Sequence, residues 1–146
     1  MHYAVLRYFI GRFLSCYIEN TDLCRKGRII FMKILILNSS PRRNGNISKM
    51  LEAMKQEIEC CNAEAVYVRV PELKVRPCIG CMKCRSSLRC CLPEDDAQRV
   101  LQSIRDADAL IIGAPCYWGN MPGELKVLFD RMVYGMMGEN SLGMPL

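Results

Sequence analysis

Apolar and polar residues follow two different periods along this chain. Residues 33–38, KILILN, are a continuous β-branched and leucine run, the pattern of a strand buried on both faces of a parallel sheet. Turn formers come next, Ser39-Ser40-Pro41-Arg42-Arg43-Asn44-Gly45-Asn46. Behind them Ile47, Met50, Leu51, Met54 and Ile58 recur at i, i+3, i+4, i+7 and i+11, which predicts an amphipathic helix of about three turns. Residues 64–70, EAVYVRV, predict a second strand, and a loop opens at Pro71. A second helix is expected from Asp95 to Asp106, with Ala97, Val100, Leu101 and Ile104 on its apolar face and Glu94, Asp95 and Asp96 at its positive end. Residues 109–114, ALIIGA, read as another buried strand. The loop Pro115–Pro122 then leads into a third helix containing Leu125, Leu128, Phe129, Met132 and Val133.

The order β-α-β-α-β-α predicts an α/β fold: an open parallel sheet with right-handed crossovers and helices on both faces. Ligands of such sheets bind beyond the carboxyl ends of the strands, where strand order reverses. Residues 32–146 are read as one domain and residues 1–31 as an N-terminal extension of uncertain structure. Arg7 and Arg12 interrupt any membrane-spanning run in that extension, and no small-residue cleavage site follows it. Tyr3, Leu6, Phe9, Ile10, Phe13 and Leu14 could line a helix lying on a membrane surface. The preferred reading is a start upstream of Met32, the residue just before the first strand.

Composition changes the picture in three ways. With 146 residues, 51% hydrophobic and 24% charged, the chain is that of an ordinary globular protein, which excludes disordered, collagen-like and coiled-coil classes. Its formal charge of +5 lies mostly in residues 1–31, which hold five Lys/Arg against two Asp/Glu, leaving fifteen against thirteen in the remainder. The body therefore lacks the sustained basic face of a nucleic-acid binder. His2 is the one histidine, so histidine-based triads and imidazole zinc sites are excluded as readings. Ten cysteines remain, five of them between residues 78 and 91, too tightly spaced for ordinary intrachain bridges. Metal or redox chemistry in a reducing, cytoplasmic setting is the expectation.

Three loops carry candidate chemistry. The turn after the first strand opens a helix whose free N–H groups, with Ser, Asn and Gly donors before them, form a cradle for a monophosphate; any strand-to-helix connection would use similar residues. Tyr117 and Trp118 beside Gly119 and Pro122 present flat aromatic surface at a strand end, either to a planar ring or as a cover for the sheet edge. Cys78-Ile-Gly-Cys81-Met-Lys-Cys84-Arg-Ser-Ser-Leu-Arg-Cys90 reads C-x2-C-x2-C-x5-C, with Cys91 directly after it. Such spacing lets three thiolates wrap a cubane and a fourth close it, suiting a [4Fe-4S] cluster better than zinc. Reduced thiols without a cluster are the plain alternative. Lys74, Arg76, Lys83, Arg85 and Arg89 make residues 74–89 locally basic, with no acid among them.

Asn38-Ser39-Ser40-Pro41-Arg42 with Gly45-Asn46, then Ala114-Pro115-Cys116-Tyr117-Trp118-Gly119-Asn120-Met121-Pro122, then Leu125-Lys126 and Phe129-Asp130-Arg131 resemble successive signatures of the flavodoxin-like NADPH-dependent FMN reductase superfamily. The resemblance covers residues 32 to about 146. It implies a flavodoxin-like sheet and an FMN whose phosphate is held by Ser40, Arg42, Asn46 and the first-helix N-terminus, with Asn44 in the same loop. Ile47 stands where that family commonly has threonine, and Ser48 is the candidate substitute donor. The isoalloxazine ring would lie against Pro115, Tyr117, Trp118, Gly119, Asn120 and Met121. The cysteine loop is similar to that of the iron-sulfur flavoprotein branch, which implies Cys78, Cys81, Cys84 and Cys90 as cluster ligands and leaves Cys91 spare.

The expected function is an FMN-dependent electron-transfer oxidoreductase of iron-sulfur flavoprotein type, its positive rim suited to an acidic carrier such as a ferredoxin. Its rivals are an NAD(P)H-dependent FMN or quinone reductase without a cluster, and a non-catalytic remnant or zinc-stapled binding module. No general base stands out. Flavodoxin-like domains have five parallel strands and only three are found here, so a C-terminally truncated domain is expected. Its third strand would lie at an open apolar edge, an edge that a homo-oligomer could cover.

Overall fold

The computed structural model describes residues 32–87 and 89–136. The readings made for residues 1–31 and for the last ten residues lie outside that span. Three strands, β1 (Lys33–Asn38), β2 (Glu64–Arg69) and β3 (Ala109–Gly113), pair in parallel in the order β2-β1-β3. Helix α1 (Asn46–Cys60) connects β1 to β2. A short 3-10 turn, Val70–Glu72, follows β2; then come the single-turn helix α2 (Cys84–Ser87) and helix α3 (Asp96–Arg105). Helix α4 (Gly123–Met136) follows β3.

Alternation along β1 divides the core. Ile34 and Ile36 face α1 in one cluster with Met32, Leu51 and Ile58, whereas Leu35 and Leu37 face α3 and α4 in another with Val100, Leu101, Leu125, Leu128 and Met132. Side chains of successive strand residues point to opposite faces, so a run apolar at every position must be covered twice, and it is. The connections β1–α1–β2 and β2–α3–β3 step in opposite directions across the sheet and put their helices on opposite faces, as crossovers of one hand require.

Several boundaries differ from the sequence reading. Helix α1 has 15 residues, a turn more than its apolar repeat suggested, because polar residues extend it without breaking it. The second strand stops at Arg69, since Pro71 turns the chain into the 3-10 segment. Asp95 is the N-cap of α3 rather than its first residue: it accepts from Ala97 N–H at 3.0 Å, and its own N–H donates to Gln98 Oε1 at 3.0 Å. That reciprocal capping box satisfies two helix-end donors. β3 is not fully buried; it is one of the two outer strands of the described sheet, with Leu110 39% and Ile112 42% exposed. Among the described residues no helix is long and apolar enough to cross a membrane.

Candidate functional site

Reversal of strand order puts the ends of β1 and β3 side by side, Asn38 opposite Gly113. Just beyond them the Ser39 N–H donates to Gly113 O at 2.8 Å, so the loops after β1 and β3 leave from one rim. Gly113 keeps them close. A Cβ there would lie 2.4 Å from Leu51 Cδ1 and 3.0 Å from Ile47 Cγ2, so any other residue would have to displace the Leu51 side chain that packs α1 onto the end of β3.

Asn38, a polar residue ending an apolar strand, organises the first loop. Its Nδ2 donates to Ser48 Oγ at 2.9 Å and to Tyr67 OH at 2.7 Å, while its Oδ1 accepts from Ser40 N–H at 2.9 Å. Ser48 donates to Arg42 O at 2.8 Å, so its hydroxyl proton braces the loop instead of facing outward as a substitute phosphate donor. Ser40 Oγ likewise points to Arg42 O, at 3.4 Å. Arg42, Asn44 and Asn46 stand exposed around the mouth, and Arg43 pairs with Glu72 at 2.8 Å. Gly45, the N-cap of α1, offers no capping side chain, and the helix's first turn carries no acid. Its end is left open to an anion. Buried beside this loop, the Ser39 hydroxyl has no partner among the described residues.

The loop after β3 closes on itself. Tyr117 N–H donates to Asn120 O at 2.8 Å and Asn120 N–H to Tyr117 O at 2.9 Å. Between them Trp118 and Gly119 have φ of +50° and +77°, the left-handed pair of a type I′ turn. Glycine suits that position; tryptophan holds it at a cost of about 1–2 kcal/mol. Trp118 is 105% exposed, so it projects from the tip and does not cover the sheet edge. Tyr117 and Met121 are also exposed, and Asn120 Oδ1 accepts from Met121 N–H at 2.8 Å. Pro115 leads into this turn.

The third loop begins beside the second. Pro77, one residue before Cys78, shares with Tyr117, Val70 and Leu128 the lining of a cavity of about 500 Å³. Cys78, Cys81, Cys84, Cys90 and Cys91 all line a second cavity of about 370 Å³, against Ile79, Met82, Leu92 and Val133. The sequence-predicted ligands are thus gathered on one hollow, although no three metal-ligating side chains of the described residues stand at metal-binding separation. Two sulfurs touch: Cys81 Sγ and Cys91 Sγ are 3.1 Å apart. Hydrogen bonding from Cys91, with help from the Lys83 backbone and charge, lowers the Cys81 pKa, and the same bond raises that of Cys91. Gly80 N–H points to Cys78 Sγ at 3.5 Å.

Arg131 closes the back of this hollow and was assigned no role from sequence. Only 1% exposed, it donates through Nη1 to Arg76 O and to Asp95 Oδ2, both at 2.7 Å. Its Nε and Nη2 have no partner among the described residues. Burial opposes its charge, but Asp95, and to a lesser degree Cys90, hold its pKa above the ordinary value. Burial likewise works against the Asp95 charge; the Arg76 and Ala97 N–H groups and Arg131 outweigh it and lower that pKa. The visible signal was a cation three residues after Leu128, on the apolar stripe of α4. Gly113 and Asn38 were visible as strand-ending residues that break an apolar run.

Comparison with known proteins matches residues 32–144 to the family described as NADPH-dependent FMN reductase. An iron-sulfur flavoprotein of Archaeoglobus fulgidus is 33% identical over 76% of this chain and 54% of its own. One from Methanosarcina thermophila is 36% identical over 70% and 53%, and one from Clostridioides difficile 32% identical over 68% and 45%. The chain spans about half the length of the curated relatives it matches.

Proposed function

The chain belongs to the NADPH-dependent FMN reductase family, in its iron-sulfur flavoprotein branch, and on that premise we propose that it acts as an FMN-dependent oxidoreductase transferring electrons between a carrier, a [4Fe-4S] cluster and flavin. The observation that carries the reading is the shared rim: the loops after β1 and β3 adjoin through the Ser39–Gly113 hydrogen bond, and Pro77 leads from the aromatic loop directly to the cysteines.

The residues present fit both groups. An open α1 N-terminus without acid, the exposed Arg42 and the unpartnered Ser39 hydroxyl suit a phosphate monoester. In this reading Ser40, Arg42, Asn44 and Asn46 hold the phosphate and Ser48 fixes their loop. Pro115, Tyr117, Trp118, Gly119, Asn120 and Met121 flank the ring, with Trp118 free to stack on it. Thiols in an apolar hollow backed by a buried guanidinium fit an anionic, sulfur-rich cluster. Cys78, Cys81, Cys84 and Cys90 are its proposed ligands. When bound, flavin supplies two-electron storage and the cluster one-electron transfer.

Lys74, Arg76, Lys83, Arg85 and Arg89 are all exposed, and none pairs with a carboxylate of the described residues. This rim favours an acidic protein carrier; the family description supports NAD(P)H as electron donor, and the free thiols suit a reducing, cytoplasmic setting. Electron transfer from an acidic ferredoxin should slow as salt rises from 0.05 to about 0.5 M; a salt-independent rate removes the carrier assignment. The deciding test of the main reading is an anaerobic ultraviolet-visible spectrum of the purified chain with iron and acid-labile sulfide assays. Flavin bands with stoichiometric iron and sulfide are expected. Flavin without iron would leave the cluster-free reductase, and neither would end the proposal.

A further inference from the structure

We propose that Cys81 and Cys91 are a reversible dithiol–disulfide site, and that its oxidised form withholds Cys81 from metal. Their sulfurs stand 3.1 Å apart on the protein surface, within a short side-chain movement of the bonding distance of about 2.05 Å, so the sequence expectation that this run is too tight for intrachain bridges does not extend to this pair. Nearby thiols differ: Cys78 Sγ is approached by the Gly80 N–H, and Cys84 and Cys90 are half-buried. The left-handed φ of +59° at Met82 turns the chain directly after Cys81, and both cysteines lie in a segment outside the sheet, so bond formation leaves the core in place.

The oxidant is a low-molecular-weight disulfide, R–S–S–R. One protein thiolate attacks it, forming a protein–S–S–R bond and expelling one RS⁻. The second thiolate attacks the protein sulfur of that mixed disulfide, forming the Cys81–Cys91 bond and expelling the other RS⁻. Two protein thiols are thereby oxidised and one small disulfide is reduced to two thiols, the two protons passing to solvent or to the departing thiolates. A solvent-accessible thiol with a resolving partner in contact is the arrangement that favours this course over further oxidation. The pairing is independent of the cluster; the withholding of Cys81 rests on the cluster reading above.

The test uses the full chain, reduced, freed of iron and treated anaerobically with oxidised glutathione. Loss of two thiols and a single cross-link are expected, assigned by fragmentation of non-reduced peptides, which trypsin separates at Lys83, Arg85 and Arg89. Cys90→Ser should still form the link. Cys91→Ser should stop at a mixed disulfide with glutathione on Cys81. No cross-link in the native chain, a link that survives Cys91→Ser, or one lost in Cys90→Ser would overturn the pairing. Reconstitution with ferrous iron and sulfide then separates the two ideas. The cross-linked chain should take up no cluster until reduced with dithiothreitol, and equal uptake by both forms refutes withholding. A chain that cross-links but takes no cluster even when reduced retains the pair and loses the cluster assignment.

Discussion

The loop after β1 and the cysteine loop are held in different ways. The loop after β1 is braced from within: one buried carboxamide, that of Asn38, joins Ser40, Ser48 and Tyr67, and Ser48 ties Arg42 to α1. The cysteine loop is tied to the rest of the fold at its ends, where Lys74 and Arg76 N–H groups donate to Asp96 at 2.6 Å and Asp95 at 3.1 Å, and Arg131 holds Arg76 O; between them its bonds are local ones, such as the Ser86 and Ser87 hydroxyls on Lys83 O and the Cys81–Cys91 contact. Between those staples its sulfurs face a hollow and the solvent. A preformed cradle binds without an ordering cost, whereas a loop of thiols that ligates a metal, as proposed for this one, would take its final shape from that metal. The first loop should therefore have the same geometry with and without ligand, whereas the second should rearrange from its ligand-free form, with its Cys81–Cys91 contact, when a cluster binds.

The most severe way to break this contrast is to remove the staple. Arg131→Met leaves Asp95 and Arg76 O without their buried partner, and stability should fall by about 3 kcal/mol in urea unfolding. Asp95→Asn in the same chain should recover part of that loss, because the half-buried carboxylate left without its cation is then gone. A loss below about 1 kcal/mol for Arg131→Met would mean that the cysteine loop is held by something else. Asn38→Ala should cost about 2 kcal/mol, the penalty of stranding the Ser40 N–H and its two hydroxyl neighbours. It should weaken FMN binding while leaving Cys81–Cys91 cross-linking unchanged. If both loops suffer together, they are one structural unit and the contrast fails.

Acid sharpens the same comparison. Asp95 has a folded pKa below its unfolded value, so the stability it contributes is present above the ordinary carboxylate value of about 3.9 and is lost as pH falls through the folded one. Hydrogen exchange of the Arg76 and Ala97 amides should accelerate, relative to the intrinsic rate, as pH drops below about 4. The Ser40 amide, held by a neutral carboxamide, should show no such change. Asp95→Asn should abolish the difference.

What sequence conveyed and what it concealed divide along related lines. β1, α1, α3 and α4 were legible because each carries a periodic apolar pattern that one face of a sheet or helix must satisfy. The rim shared by residues 39–46 and 115–122 was legible because parallel topology brings those loops together. Hidden were interactions that no local pattern encodes. Arg131 meets Asp95 across 36 residues, and Gly113 admits Leu51 from another element. The contact between Cys81 and Cys91 depends on how an irregular loop folds back, so spacing marked Cys91 as spare. Trp118 was legible as an aromatic at a strand end but not as a fully projecting one, because its left-handed φ comes from the I′ turn.

That exposure sets the smallest expected effect. Trp118 buries no surface, so Trp118→Ala should change unfolding stability by less than about 0.5 kcal/mol. Its consequence should appear only with flavin present. Loss of one stacking partner corresponds to about 1 kcal/mol, a roughly fivefold rise in the FMN Kd measured by quenching of flavin fluorescence, with cross-linking of the cysteines unaltered. Trp118→Phe should restore most of the affinity, since a flat ring is what the turn supplies. An unchanged Kd would place the isoalloxazine elsewhere on the rim and leave the strained turn without a ligand to account for it.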